Sequence, residues 1–576
     1  MRFLKLRCVH ALVFALSLLT LFGCKSDEDT VTIRIVHTTD VHGNYFSYNF
    51  LDNKPGKGSL SRLATYLEKA RKENPNLLLL DGGDILQGTP ASYYYNYVDT
   101  TSPHVAAQTY NYLKYDAVTI GNHDIETGHA VYDRWSKECD FPVLAANLID
   151  TRTNKPYFKP YIVKKVNGVK VAIIGFITPA VPEWVPQIYW QDLGFEGIVP
   201  SAQKWMDIVL KREKPDVILA LMHSGLTNLN HHYIEDAGEA LLKEVSGFDA
   251  ILLGHDHKPL MTKMKNMHGE EILMSNPGGN ISNVSDITIK VRRKNGKVVS
   301  KEINGQLIDL NDYSPNKEYD EHFAKQAEAI RQYVSRPIGT LVGDLNSSSC
   351  LFGQTAYMSL IQRVEREYAD ADISFAAPFS LKINIKSGPL YIRDLFRLYR
   401  FENSLYQMEL TGQQIKDYLE LSYARWVAGM NSEEDHLLLF QDNNDGIFKL
   451  AYPVFNMSSA GGVDYIVDLT KPVGSRVSIL QLSNGQPFSM TKKYKVAVNS
   501  YRGGGGGDLM TEGCKIPFED LRSHIIKECR SDIRHYIHLY IEKKGKIEAV
   551  NDKNWHFVPE AWAREAASRD AKYLFK

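Results

Sequence analysis

The sequence predicts an α/β (α+β) fold in two domains. Short apolar runs alternate with amphipathic stretches through the first half, five of those runs end in Asp, His or Asn beside glycine, and 576 residues are too many for one hydrophobic core. The runs are 33–36, 77–80, 118–120, 217–221 and 251–253. Short, continuous apolar runs of this kind suit strands covered on both faces. Between them, residues 61–72, 105–113, 201–213 and 232–245 carry apolar side chains at helical spacing. Two hairpins are expected, 161–166 with 169–174 around Asn167-Gly168, and 287–293 with 297–303 around Asn295-Gly296. Asn-Gly supplies the two positive φ angles of a type I′ turn. A charged, alanine-rich helix over 319–334 then ends before Pro337 and reads as the connector between domains.

Beyond Ile338 the pattern restarts, with helices expected over 355–368 and 412–425 and strands over 405–410 and 494–499. The five glycines of 503–507 stand beside Asn499, Tyr501 and Asp508, which suggests a loop that brings backbone close to a ligand. From Lys546 the chain turns polar and reads as a peripheral tail. The division is therefore 1–23 signal peptide, 24–30 tether, 31–315 first domain, 316–337 linker helix and 338–576 second domain.

The five runs lead into Asp40-Val-His42, Gly83-Asp84, Gly121-Asn122-His123-Asp124, His223-Ser-Gly and Gly254-His255-Asp-His257. Layered α/β sheets present functional groups at the carboxyl ends of their strands, so these side chains can converge on one point. Asp, His and Asn without thiolates suit Zn, Mn, Fe or Co. Two such ions about 3.5–4 Å apart require a bridging carboxylate and can share an activated water. The clusters thus predict a two-metal centre.

Bulk properties narrow the partners. A formal charge of −1 excludes the basic excess of a protein that coats nucleic-acid polymers, while small anionic substrates stay open. Arg2, Lys5 and Arg7 precede a short apolar stretch over 11–22, the layout of a secretory signal rather than of a membrane span. Leu21-Phe-Gly-Cys24 resembles a bacterial lipobox, which implies lipid on Cys24 and display towards the periplasm or the cell surface. The acidic run Asp27-Glu-Asp29 is similar to surface-export signals of some Gram-negative lipoproteins. Of six cysteines, Cys8 and Cys24 fall in this leader; Cys139, Cys350, Cys514 and Cys529 remain and read as structural. An exported chain permits disulfides, but spacing alone assigns no pairing.

In order and in glycine placement, the five clusters resemble the calcineurin-like metallophosphoesterases. The similarity runs over nearly the whole mature chain and fits the exported 5′-nucleotidase family. Within it, Ala376-Ala-Pro-Phe379, Asn403-Ser-Leu405, Leu410-Thr-Gly412, Phe455-Asn456 and Asn499-Ser-Tyr-Arg502 point to the 2′,3′-cyclic-nucleotide 2′-phosphodiesterase/3′-nucleotidase branch. The resemblance implies a four-layer αββα sandwich followed by an α/β substrate-binding domain. It implies that Asp40, His42, Asp84 and His257 hold one divalent ion and that Asp84, Asn122, His223 and His255 hold the other. His123 would act on the phosphate, Asp124 would orient the site from behind, and Phe455 and Tyr501 would sandwich the base. Asn499 and Asp508 would contact base or ribose. The implied reaction is in-line attack of a metal-activated water on a nucleotide phosphoester.

Two departures bear on the branch. Ala376 to Ser380 stands where 5′-nucleotidases carry a glycine-rich block with a phosphate-binding arginine. Glu126 stands where they place an aspartate partner for the catalytic histidine. The rival readings are a 5′-nucleotidase or nucleotide-sugar hydrolase, a thiosulfate-ester hydrolase on the same fold, and a non-catalytic nucleotide-binding surface lipoprotein. Oligomeric state is not legible.

Overall fold

The structure is a computed structural model and describes residues 28–441 and 448–575. Cys8, the apolar leader, the lipobox with Cys24 and tether residues up to Asp27 lie outside the described residues.

Two six-stranded sheets stack face to face in the first half. One runs Lys297–Asp309, Asn283–Lys294, Glu28–Thr38, Leu78–Asp81, Ala117–Thr119, Val143–Leu144. The other runs Leu260–Lys265, Glu271–Asn276, Ala250–Leu252, Val217–His223, Val169–Ile177, Tyr161–Val166. Strand alternation sorts the apolar runs. Ile33, Ile35, Leu78 and Leu80 face Ile173, Leu219, Leu221 and Leu252 between the sheets. Val36 and Leu79 face outwards beneath the helices Leu60–Glu73 and Val105–Leu113. Ile174 and Met222 lie beneath Ile198–Arg212 and Gly238–Glu244 on the opposite side. The result is the four-layer αββα arrangement, and each fully buried Leu or Ile contributes about 2 kcal/mol relative to exposure.

Parallel register places the functional loops on one edge. Thr38 pairs with Asp81 and Asp81 with Val118, so the loops carrying Asp40, Asp84 and Asn122 leave side by side. In the second sheet Ile177 pairs with His223 and Leu221 with Leu252, which brings His223 and the His255–His257 loop to the same edge. Both hairpins form as expected, with Asn167, Gly168, Asn295 and Gly296 all at positive φ.

In the second half a five-stranded mixed sheet runs Ser459–Gly461, Ile373–Ala376, Lys493–Asn499, Ser404–Thr411, Ile525–Asp532. Helices Ala356–Ala369 and Gly412–Trp426 pack on it through two apolar clusters. Thr411 caps the second helix, its hydroxyl accepting from the Gln414 N–H at 3.2 Å while the Gln414 side chain accepts from the Thr411 N–H.

Four expectations are corrected. Glu28 to Thr30 belong to the first strand rather than to a tether, because Glu28 and Asp29 face Lys294 and Arg293 across the pair and form ion pairs with them. Residues 232–237 are loop, not helix. Asn228 Oδ1 accepts from the N–H groups of Glu235 and Asp236, and Asn230 Oδ1 from those of His232 and Tyr233, which draws the backbone out of helical pairing. The connector breaks at Phe323 into Lys317–His322 and Ala324–Val334, with Tyr319, Phe323 and Ile330 all buried against the first domain.

Nor is the C-terminus a peripheral tail. Lys546–Glu548 and Trp555–Val558 join two sheets as parallel strands, and Trp555 and Phe557 enter the second core. Within the closing helix Glu560–Leu574, buried Asp570 accepts from the N–H groups of Leu437 and Leu438. Cys139, Cys350, Cys514 and Cys529, for which spacing assigned no pairing, are all free thiols.

Candidate metal centre and adjoining cavity

Five residues of the clusters, Asp40, His42, Asp84, His255 and His257, hold φ between 48° and 74°. Non-glycine residues avoid this left-handed region, and such strain collects where a site over-determines its geometry. Small neighbours make room. A Cβ on Gly121 would overlap Asp84 Oδ1, and one on Gly254 would overlap the Thr39 hydroxyl.

Two groups of side chains result, Asp40 with His42 and His257, and Asp84 with His223 and His255. Their hydrogen bonds identify which ring nitrogens carry lone pairs. His42 Nδ1 lies 3.1 Å from the Gln87 carbonyl and His223 Nδ1 lies 2.7 Å from the Gly82 carbonyl, so each donates there. In the neutral rings the opposite nitrogens are acceptors, open to a proton or a metal ion. His42 Nε2 sits 3.0 Å from His257 Nε2, and His223 Nε2 sits 3.1 Å from Asn122 Oδ1 and 3.2 Å from Asp84 Oδ2. Asp40 Oδ1, fully buried, has no aligned hydrogen bond, although His257 Nε2 is 3.1 Å away. Contacts this close among basic ring nitrogens and carboxylate or amide oxygens require a shared proton or a metal ion between them. The donor set therefore fits divalent ions in both groups.

Asp84 links the groups. Its Oδ2 is 3.2 Å from His223 Nε2 and 3.8 Å from His42 Nε2, while its Oδ1 accepts from the His123 N–H at 2.9 Å. Asp124 fastens the loops from behind. Its buried carboxylate accepts from the N–H groups of Gly121, Asp84, Ile85 and Leu86 at 2.7–2.9 Å. Such outer groups orient ligands without touching the ion. His255 Nε2 meets Glu235 at 3.0 Å, and Trp184 stacks on the His255 ring at 5.6 Å.

His123 belongs to neither group, although its ring meets that of His42 edge-on at 5.5 Å. Its Nδ1 lies 2.7 Å from Glu126 Oε2, and Gln87 Nε2 donates to the same oxygen at 2.8 Å. The glutamate stem thus reaches the ring. Burial works against the charged imidazole, but Glu126 and Asp84 outweigh it and push the group up to about 10.

A cavity of about 250 Å³ adjoins the second group, lined by Asn122, His123, Glu126 and His255 on one side and by Phe379, Phe401, Phe455, Asn499 and Tyr501 on the other. The Phe455 and Tyr501 rings stand edge to face, 6.4 Å apart at 81°, rather than as parallel walls. This is a preferred geometry for two rings in direct contact. Arg502 Nη2 donates to the Phe455 carbonyl at 2.9 Å and ties the two aromatic segments together. A Cβ on Gly506 would collide with the Tyr501 ring, so the glycine run lets that ring lie on backbone. Asn499 caps the turn that follows it, accepting from the Arg502 N–H at 2.8 Å. Asp508 is not among the lining residues and stands 3.7 Å from Arg425 instead.

Trp184, Glu235 and Phe401 escaped the sequence reading. None sits in a metal-ligand motif, and Glu235 fell in a stretch read as helix. Phe379 and Asn403 lay inside the quoted Ala376–Phe379 and Asn403–Leu405 stretches, which was the available signal.

Residues 33–259 match the calcineurin-like phosphoesterase family, and residues 337–512 match the 5′-nucleotidase C-terminal domain. The trifunctional nucleotide phosphoesterase protein YfkN of Bacillus subtilis is 27% identical over 93% of the chain, which spans only 39% of that longer protein. The 2′,3′-cyclic-nucleotide 2′-phosphodiesterase/3′-nucleotidase of Haemophilus influenzae is 26% identical, over 93% of this chain and 89% of its own length. The 5′-nucleotidase precursor from Thermus thermophilus superposes with a TM-score of 0.61 at 21% identity, covering 92% of this chain and 100% of its own, and shares the fold. With both halves matched and the ligand clusters brought together in two groups, the chain belongs to the calcineurin-like phosphoesterases that carry a 5′-nucleotidase C-terminal domain.

Proposed function

We propose that the protein hydrolyses nucleotide phosphoesters at a two-metal centre, as a 2′,3′-cyclic-nucleotide 2′-phosphodiesterase and 3′-nucleotidase. One observation carries this reading: lone-pair side chains in two groups share the Asp84 carboxylate beside a cavity lined by aromatic rings. Asp40, His42, Asp84 and His257 would hold one ion, and Asp84, Asn122, His223 and His255 the other. When bound, such ions supply Lewis acidity towards phosphoryl oxygens and acidify a water for in-line attack.

The remaining work belongs to the chain. His123, held by Glu126, presents a protonated imidazole to the phosphate or the leaving oxygen. Asp124 fixes the loops that carry Asp84 and Asn122. Phe455 and Tyr501 turn from edge-to-face contact to receive a base, with Asn499 at the cavity wall. Asp508 acts at a distance by pairing with Arg425. The metal domain spans 28–315, the linker 316–337 and the base-gripping domain 338–576, with Zn, Mn, Fe or Co as the metal. Lipid on Cys24 anchors the protein at the membrane, facing the periplasm or the surface; among the described residues no helix is long and apolar enough to cross a membrane.

The branch rests on Ala376 to Ser380, which lack the arginine of 5′-nucleotidases, and on the relatives named for cyclic and 3′-nucleotide hydrolysis. A turnover panel of 2′,3′-cyclic AMP, 3′-AMP and 5′-AMP on metal-loaded protein tests it. The expected order places the cyclic and 3′ substrates above 5′-AMP in kcat/KM. If 5′-AMP ranks highest, the 5′-nucleotidase reading takes its place.

A further inference from the structure

A second cavity, of about 610 Å³, borders the first ligand group. Gly43, Gly88 and Asn280 line it, next to the backbone that carries Asp40 and His42: the Asn280 N–H donates to the Asp40 carbonyl at 2.7 Å, and Gly88 leaves room for His42. Ser380 and Arg400 form part of the opposite wall, while their chain neighbours Phe379 and Phe401 line the aromatic cavity. The same two segments thus wall both cavities, with the metal centre between them.

The charge of this second cavity is one-sided. Lys57, Lys382, Arg397 and Arg400 line it against the single carboxylate of Asp52, which already pairs with Arg397 at 3.2 Å. Among the described residues, the Lys57 and Lys382 ammonium groups and the Arg400 guanidinium make no ion pair or hydrogen bond; the guanidinium lies over the Phe401 ring, at 5.9 Å. Three unpaired cations from separate segments around one concavity repel one another, a cost that a bound anion removes. Ser380 and Arg400 follow or precede Phe379 and Phe401 of the aromatic cavity directly in the chain, so the cations stand on the segments that also wall the base side of the site.

We propose that this cavity is a subsite for a second phosphate of the substrate, so that the nucleotides accepted best carry a 5′-phosphate besides the 2′,3′-cyclic or 3′-phosphate at the metals. The proposal rests on the reading above. Its test compares adenosine 3′,5′-bisphosphate with 3′-AMP on metal-loaded protein. The bisphosphate should show about tenfold higher kcat/KM at low salt, an advantage that shrinks as salt rises. A Lys382→Gln/Arg400→Gln double variant with an unchanged melting curve should bring that ratio near one. A ratio of one in the parent protein, or a ratio kept in the double variant, overturns the subsite. Calorimetric binding of the two ligands separates this failure from failure of the branch: if 3′-AMP is not turned over, the branch falls, whereas equal affinities overturn the subsite whatever the turnover.

Discussion

Replacing Glu126 by Gln should move the basic limb of the pH–kcat/KM profile to lower pH. In the parent protein Glu126 Oε2 lies 2.7 Å from His123 Nδ1 and stabilises the imidazolium. Full charges about 4 Å apart interact by roughly 4 kcal/mol at an effective dielectric constant near 20. His123 and Glu126 keep 30% and 20% of their side chains exposed, so water screens part of this. A loss of about one to two pK units is the reasonable expectation. The sign follows from the direction of the shift. The group is held up to about 10, so its protonated form persists below that pH and is lost as pH rises through it. Bound cations lower the absolute value in both proteins, which makes the difference between them the measured quantity. The glutamine keeps a hydrogen-bonding group near the ring but no charge, and kcat/KM near neutrality should fall about tenfold. Initial rates across pH, with metal content measured in parallel, decide the matter. A basic limb that superimposes on the parent's at full metal occupancy would refute the role given to Glu126.

Asp84→Ala should lose both ions together, whereas His257→Ala should weaken mainly one, since the Asp84 carboxylate approaches histidines of both groups; elemental analysis showing full occupancy in Asp84→Ala contradicts the shared carboxylate. His123→Ala should keep its metals and lower kcat by about 10²–10⁴-fold, and metal loss with unchanged turnover per bound ion would exclude the assignment. Phe455→Ala or Tyr501→Ala should cost about 1–3 kcal/mol of base stacking, seen in KM for nucleotides; an equal loss on a small aryl phosphate diester, which has no base, would speak against a base site. Cys24→Ser should leave the membrane fraction, and a variant that still sediments wholly with membranes would count against a lipid anchor.

The sequence by itself determined the layered α/β core and the edge at which its chemistry collects. Five apolar runs ending in ligand residues are local patterns, and a parallel register needs only those runs to bring Asp40, Asp84 and Asn122 to one edge. Asn-Gly turns and the restart after Pro337 were legible for the same reason, because single residues dictate φ there. Tertiary structure decided what depends on distant partners. The stretch 232–237 has helical spacing, yet Asn228 and Asn230 capture its backbone and deliver Glu235 to His255. The polar C-terminus has no strong pattern, yet Trp555 and Phe557 complete a core that reaches back to Tyr423 and Trp426. Glu126 could be judged only once the short helix Asn122–Ile125 set its reach to His123. The perpendicular setting of Phe455 against Tyr501, and the cations gathered around the second cavity, are products of packing between segments far apart in the chain. No local spacing encodes them, because the interactions that hold them join segments that meet only in the folded chain.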